Sequence, residues 1–271
     1  MTDLQELHWQ RARETLAETD PLAKCRGVER LQRSIEQGEW QPSSPQRAGD
    51  LVCGRPERPE LVAPARLKKR GLGSVEGRLA LIHAIAHIEF NAINLGLDAA
   101  LRFSGMPDSY YRDWISVAAD EARHFQMLSN RLEALGSYYG ALDAHNGLWE
   151  MAESTAHDVM VRMALVPRVL EARGLDVTPG MIERLNSVGD RETVALLEII
   201  LEEEERHVAI GSRWFAALCR DRDLNPDDTF EQLLEKYFNG QLRGPFNLEA
   251  RRRAGFSEPE IEHLAVMEAG G

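Results

Sequence analysis

The chain has 271 residues, 43% of them hydrophobic, and a formal net charge of −12 at neutral pH. That is enough apolar material for a substantial core, in one large domain or two small ones. The acidic balance argues against a general nucleic-acid binder, whose surface is ordinarily basic, and leaves only a local basic patch for such a partner.

Residues 4 to 39 alternate apolar and charged positions at helical spacing, broken at Asp20-Pro21 and closing near Gly38, so one or two amphipathic helices are expected. From Gln41 to Gly73 the chain is rich in proline and glycine and holds the basic cluster Arg66-Leu67-Lys68-Lys69-Arg70. This reads as an extended segment wrapped over the surface. Ser74 followed by Glu76 marks a helix start, and Glu76 to Phe103 reads as a long, unusually apolar helix. A second helix is predicted from about Ser109 to Leu135, then a connection over residues 136 to 147. A third runs from about Leu148 to Arg173 and stops at Gly174. Thr178-Pro179 opens a short helix to Val188, with Thr as N-cap and Pro at the first helical position. A fourth long helix covers roughly Arg191 to Cys219, and shorter ones follow around Phe230 to Tyr237 and Glu258 to Met267. No long run alternates as a strand would. The fold class is all-α, in three segments expected to form one compact unit: N-terminal helices plus an extended wrapping segment over 1–73, a four-helix bundle over 74–219 and a helical extension over 220–271.

Cys25, Cys53 and Cys219 are odd in number and widely spaced, making neither a disulfide framework nor a metal knuckle. A cytoplasmic location is therefore expected. The first residues lack a positive-then-apolar signal pattern, and no run approaches 18 uninterrupted apolar residues, so no membrane contact is expected.

The chemistry is concentrated in acids placed within apolar stripes. Residues at i±3, i±4 and i±7 share a helix face. Around Glu121 that face holds Trp114, Val117, Ala118, His124, Phe125 and Leu128; around Glu204 it holds Leu197, Ile200, Leu201, His207, Val208 and Gly211. Glu89 shares its face with Ile82, Ile85, Ala86, Ala92, Ile93 and Gly96. A buried carboxylate is costly unless it meets a proton, a cation or a metal. Glu171 lies one turn from Arg168, which offers it a simple salt bridge as the competing explanation.

Spacing adds independent weight. Glu89 precedes Glu121 by 32 residues and Glu171 precedes Glu204 by 33, so each half offers a lone Glu and then a Glu-x-x-His. The connection 136–147 can stretch to roughly 40 Å at about 3.3 Å per residue, enough to return the chain along a bundle. Four carboxylates and two histidines are the ligand set of di-iron and di-manganese carboxylate bundles. Glu203 lies at i−4 from His207 and competes with Glu204 for the ligand role. His83, His87, Asp120 and Arg123 are candidates for orienting ligands or bridging helices, with a separate metal pair at His83 and His87 as the alternative for those two. Pro167 inside the third helix marks a kink or a local widening beside the site.

Four runs, His83-Ala84-Ile85-Ala86-His87-Ile88-Glu89, Asp120-Glu121-Ala122-Arg123-His124, Leu170-Glu171-Ala172-Arg173-Gly174 and His207-Val208-Ala209-Ile210-Gly211, carry a family likeness. Across about Arg55 to Phe256 the chain resembles the ferritin-like superfamily, and more narrowly a bacterial family of unknown function. Glu171-Ala172-Arg173 is also similar to di-iron tRNA hydroxylases. The resemblance implies a ferritin-like bundle with Glu89, Glu121, His124, Glu171, Glu204 and His207 as ligands to two iron ions, or manganese. It implies no substrate.

Such donors suit iron(II) or manganese. The leading expectation is an O₂-activating oxidase or hydroxylase of an unidentified substrate, served by an electron donor, with an oligomer allowed. The alternatives are a ferroxidase or iron-handling protein and a metal-bearing structural protein without turnover. Hydroxylation of tRNA is a narrower version, which needs Arg66 to Arg70 and Arg251-Arg252-Arg253 as one basic rim.

Overall fold

Helix starts follow the capping chemistry of the sequence. In the computed structural model, which describes residues 3–45, 51–68 and 70–270, α1 spans Asp3–Ala17 and α2 spans Pro21–Glu36. Asp20 accepts from the Ala23 N–H at the head of α2, and Pro21 follows at the first helical position. The extended segment after α2 has a single 3₁₀ turn, Pro64–Arg66, among its described residues. Residues 46–50 and Lys69, which belong to that predicted segment, lie outside the described residues. Ser74 caps α3, Val75–Arg102, by accepting from Gly77 N–H, and α4 spans Asp108–Ala134.

The chain divides into two compact units, residues 1–149 and 150–271. The boundaries expected from the sequence, 73/74 and 219/220, do not coincide with this division. In the first unit α3 and α4 form the most extensive packing pair, joined by the short turn Phe103–Pro107. Gly96 permits their close approach: a Cβ there would lie 2.9 Å from Trp114 O and 3.0 Å from the Ala118 methyl. α2 packs on α4, and α1 on α2 and α3. α3 is long and apolar enough to cross a membrane by length and composition, but 72% of its most apolar window is buried in the protein, as befits a core helix.

Lys24 ties this unit together. Its buried ammonium donates to Leu16 O at 2.8 Å, to Gly54 O at 2.7 Å and to Asn94 Oδ1, joining the end of α1, the extended segment and α3. Burial lowers its pKa to about 8, which leaves it charged at neutral pH with all three N–H groups used.

α5, Gly147–Ser154, is followed in the second unit by α6, Val159–Leu165, a π-helical segment, Val166–Glu171, and α7, Ala172–Ser187. This corrects the predicted third helix twice. The helix breaks at residues 155–158, because Asp158 caps a new start by accepting from Met160 and Val161 N–H groups. It then runs on through Gly174 and Pro179 to Ser187, where two helices had been expected. Pro179 lacks the N–H that would bond the carbonyl four residues back. That carbonyl, Leu175 O, accepts instead from the Asn247 side chain at 3.2 Å.

α8, Arg191–Asp221, packs along α6, the π-helical segment and α7. α9, Pro226–Phe238, α10, Leu248–Arg253, and α11, Glu258–Gly270, complete the unit; α10 has no counterpart in the sequence reading. Two buried arginines pin these elements down. Arg168 donates to both Glu260 oxygens at 2.7 Å beneath Phe215, Phe230 and Phe256, and Arg251 binds both Asp176 oxygens at 2.9 and 2.7 Å. Among the described residues the chain is all-helical, with one isolated bridge between Leu61 and Ala144.

Candidate metal centre

In the first unit, one face of α3 meets one face of α4 at Glu89, Glu121 and His124, all buried. Each offers a donor atom, and the three donors lie within 4.8 Å of one another. His124 Nδ1 is 3.2 Å from Glu89 Oε2 and 3.4 Å from Glu121 Oε2. Two carboxylates this close cannot both ionise cheaply in a buried site. Burial first, and then the charge of Glu121, push the Glu89 carboxyl well above its ordinary range. Burial lowers an imidazole's pKa, but hydrogen bonds accepted by the Glu121 and Glu89 carboxylates outweigh it at His124 and raise the pKa to about 11. The trio is thus a pocket of negative charge balanced by protons, which is what a divalent cation replaces on binding.

The second unit repeats the motif on α8. His207 is buried, and its Nδ1 lies 3.6 Å from Glu204 Oε2. Both pairs therefore present Nδ1 to the carboxylate three residues earlier. Of the two acids weighed against each other on α8, Glu204 presents its carboxylate to the imidazole. Glu203 is half-buried beside it.

Glu171 ends the π-helical segment, which packs on α8, and its side chain is buried. Arg168, the salt-bridge partner that offered a mundane account of Glu171, is instead engaged by Glu260 and by Ser212 Oγ at 3.2 Å. The widening at Pro167 is present as the predicted reading allowed, and Gly211 receives the proline ring. A Cβ at Gly211 would sit 2.3 Å from Pro167 Cγ. Small size at 211 therefore sets how closely the Glu171-bearing segment lies against the helix of Glu204 and His207.

His83 and His87 take helix-to-loop roles. His83 Nε2 accepts from Gly140 N–H at 2.9 Å. His87 Nε2 donates to His145 O at 3.1 Å, which leaves Nδ1 to accept from the Tyr139 hydroxyl at 2.9 Å. Burial holds both imidazoles near pKa 4 and hence neutral. Asp120 and Arg123 bind each other at 3.1 Å on a more open face of α4.

Tyr139 was not singled out from the sequence, where it sits in a connection without periodicity. Its ring packs edge-on against Phe125 at 4.9 Å and lies 5.6 Å from Phe90, the residues that follow His124 and Glu89. The usable signal was the aromatic pair Tyr138-Tyr139 just before Gly140, inside an otherwise polar loop.

The run Arg251-Arg252-Arg253 is neutralised where it stands. Arg251 binds Asp176, Arg252 binds Glu249 and Glu258, and Arg253 binds Glu205.

The family described as "Protein of unknown function (DUF455)" matches residues 17–262. An uncharacterized protein of Haemophilus influenzae is 43% identical over 282 residues, an alignment covering 99% of this chain and 97% of the relative. No solved structure matches.

Proposed function

The chain belongs to the DUF455 family, and from that premise we propose that it is a di-iron carboxylate protein of ferritin-like architecture, an O₂-activating oxidase or hydroxylase, with manganese as the alternative metal. The reading takes Glu89, Glu121 and His124 as one half of the ligand set and Glu171, Glu204 and His207 as the other. Its main support is the Glu-x-x-His in each unit, whose buried imidazole faces its own carboxylate, joined in the first by a second buried carboxylate, Glu89.

The donor set fits the metals. Carboxylate oxygens with imidazole nitrogen suit iron(II) and manganese, whereas a zinc or copper(I) site would call for thiolates or more imidazole. Bound iron would supply the activation of O₂; the chain supplies position, access and electrostatics. Glu89 and Glu121 provide negative charge in a dry pocket, where it attracts a cation far more strongly than in water. Trp114, Phe125 and Leu128, all buried, exclude solvent around them. His87 and Tyr139 fix the loop that covers the neighbouring aromatic rings. The neutralised Arg251-Arg252-Arg253 run favours a small substrate over a tRNA-borne one.

Metal analysis of protein made in iron-supplemented medium tests this, followed by O₂ exposure of the iron(II) form. The expected result is about two irons per chain and an optical change with oxygen. Fewer than about one iron per chain, or no optical change, overturns the oxidase reading. Loading far beyond two, as a mineral, favours iron storage instead.

A further inference from the structure

The extended segment ahead of α3 holds four cations in five residues, Arg66, Lys68 and Arg70 among them, in a chain whose net charge is −12. That segment is anchored at both ends. Upstream, Val62 N–H donates to Ala144 O at 2.8 Å and Ala144 N–H to Glu60 O at 3.0 Å. Downstream, Arg78 donates to Leu72 O at 3.1 Å, and Gly71 O comes so near Gly77 that a Cβ there would lie 1.8 Å away. Between the anchors the segment borders a cavity of about 320 Å³, whose other walls are α3 and the loop after α4.

The lining is cationic. Arg66, Lys68 and Arg70 face one acid, Asp143, and none of the three makes an ion pair among the described residues. Like charges gathered in one concave site repel each other, and an anion seated among them relieves that repulsion. Arginine forks match phosphate oxygens two at a time, with lysine adding a point charge. His83 contributes from the interior of the same lining. It is buried, and its Nε2 is taken by Gly140 N–H, so its ring proton sits on Nδ1 as a neutral donor. The cavity lies at the small end of ligand pockets, which run from roughly 300 to 1,000 Å³. A nucleic-acid duplex would need a long cationic surface, and the other basic run of the chain is neutralised by its own acids.

We propose that this cavity binds a small phosphate-bearing metabolite, held at the rim by Arg66, Lys68 and Arg70 and from within by the His83 N–H. The site stands apart from the metal reading and survives its failure.

Calorimetric titration of the full chain tests it, with inorganic pyrophosphate and AMP as probes at low and physiological salt. The expected result is saturable binding of at least one probe, one per chain, weaker at higher salt. Arg66→Ala and Arg70→Ala, at exposed positions, should each weaken it by about tenfold. Ala84→Leu, also exposed, should abolish binding by filling the cavity with every charge kept, and far-UV dichroism should show unchanged helicity. The proposal fails if neither probe binds saturably, if Ala84→Leu binds as the parent does, or if an RNA hairpin binds while both small probes do not.

Discussion

His124 sits where two opposing effects meet, and their balance fixes what a metal must do to enter. Its pKa is raised from 6.5 to about 11 because the carboxylates of Glu121 and Glu89 outweigh burial. A group whose folded pKa is raised lends stability that is complete below its ordinary value and is lost as pH rises through the folded value. In the metal-free protein His124 is therefore a bound proton across the neutral range, and the raised Glu89 carboxyl adds to the protons held. A metal that uses His124 Nδ1 must displace at least one of them. Loading of iron(II) or manganese(II) at pH 7 should release one to two protons, read with a pH indicator in weak buffer, and affinity should rise about tenfold per pH unit for each. Loading without proton release would show that His124 is not a ligand. That Glu89, Glu121 and Glu204 lie within apolar stripes was legible from the sequence, since Ile82, Ala118 and Leu197 beside them are buried. The choice between Glu203 and Glu204 was not, because adjacent positions differ by only 100° and both satisfy a helical spacing to His207.

At the scale of elements, the π-helical segment is the part the sequence marked without describing. Pro167 signalled a local irregularity. Its consequence, an extra residue accommodated so that Ala172 N–H bonds back to Pro167 O, depends on the neighbouring α8 and is invisible along one strand of text. The overrun past Gly174 and Pro179 was missed for the same reason: Asn247, more than 60 residues on, satisfies the carbonyl that proline leaves open. The helix starts near residues 21, 75 and 191 were legible because a cap acts on its own first turn. The seat of Pro167 on Gly211 gives a test of how this segment is held. Gly211→Ala places a methyl 2.3 Å from a rigid ring, and overpacking of this kind costs about 1–3 kcal/mol. Pro167→Ala in the same chain should recover much of that loss, because the two changes share one contact. Thermal unfolding of the two single variants and the double measures the coupling. Strict additivity would mean that the ring and the glycine do not press on each other.

For the whole molecule, the division at 149/150 falls between the two copies of the sequence pattern. The first unit contains Glu89 and the Glu121–His124 pair, the second Glu171 and the Glu204–His207 pair. The nearly equal spacings of 32 and 33 residues were the sequence's own trace of that repeated pattern, and they survive the redrawn helix ends because Glu171 and Glu204 keep their places on adjoining elements. Duplication alone is compatible with two separate mononuclear sites. The proposed function requires more, namely one dinuclear centre drawing on both halves, and the two cases part company in the histidine variants. If each unit binds its own ion, His124→Ala and His207→Ala should each keep about half the metal and half the thermal stabilisation that metal provides. If one centre uses all six ligands, either variant should lose nearly all of both, since two irons held by shared carboxylates bind as a set. Metal content and melting temperature with and without iron(II), measured side by side on the two variants, decide the matter. Half-loading in both would leave two simple cation sites and remove the basis for cooperative O₂ activation by this chain.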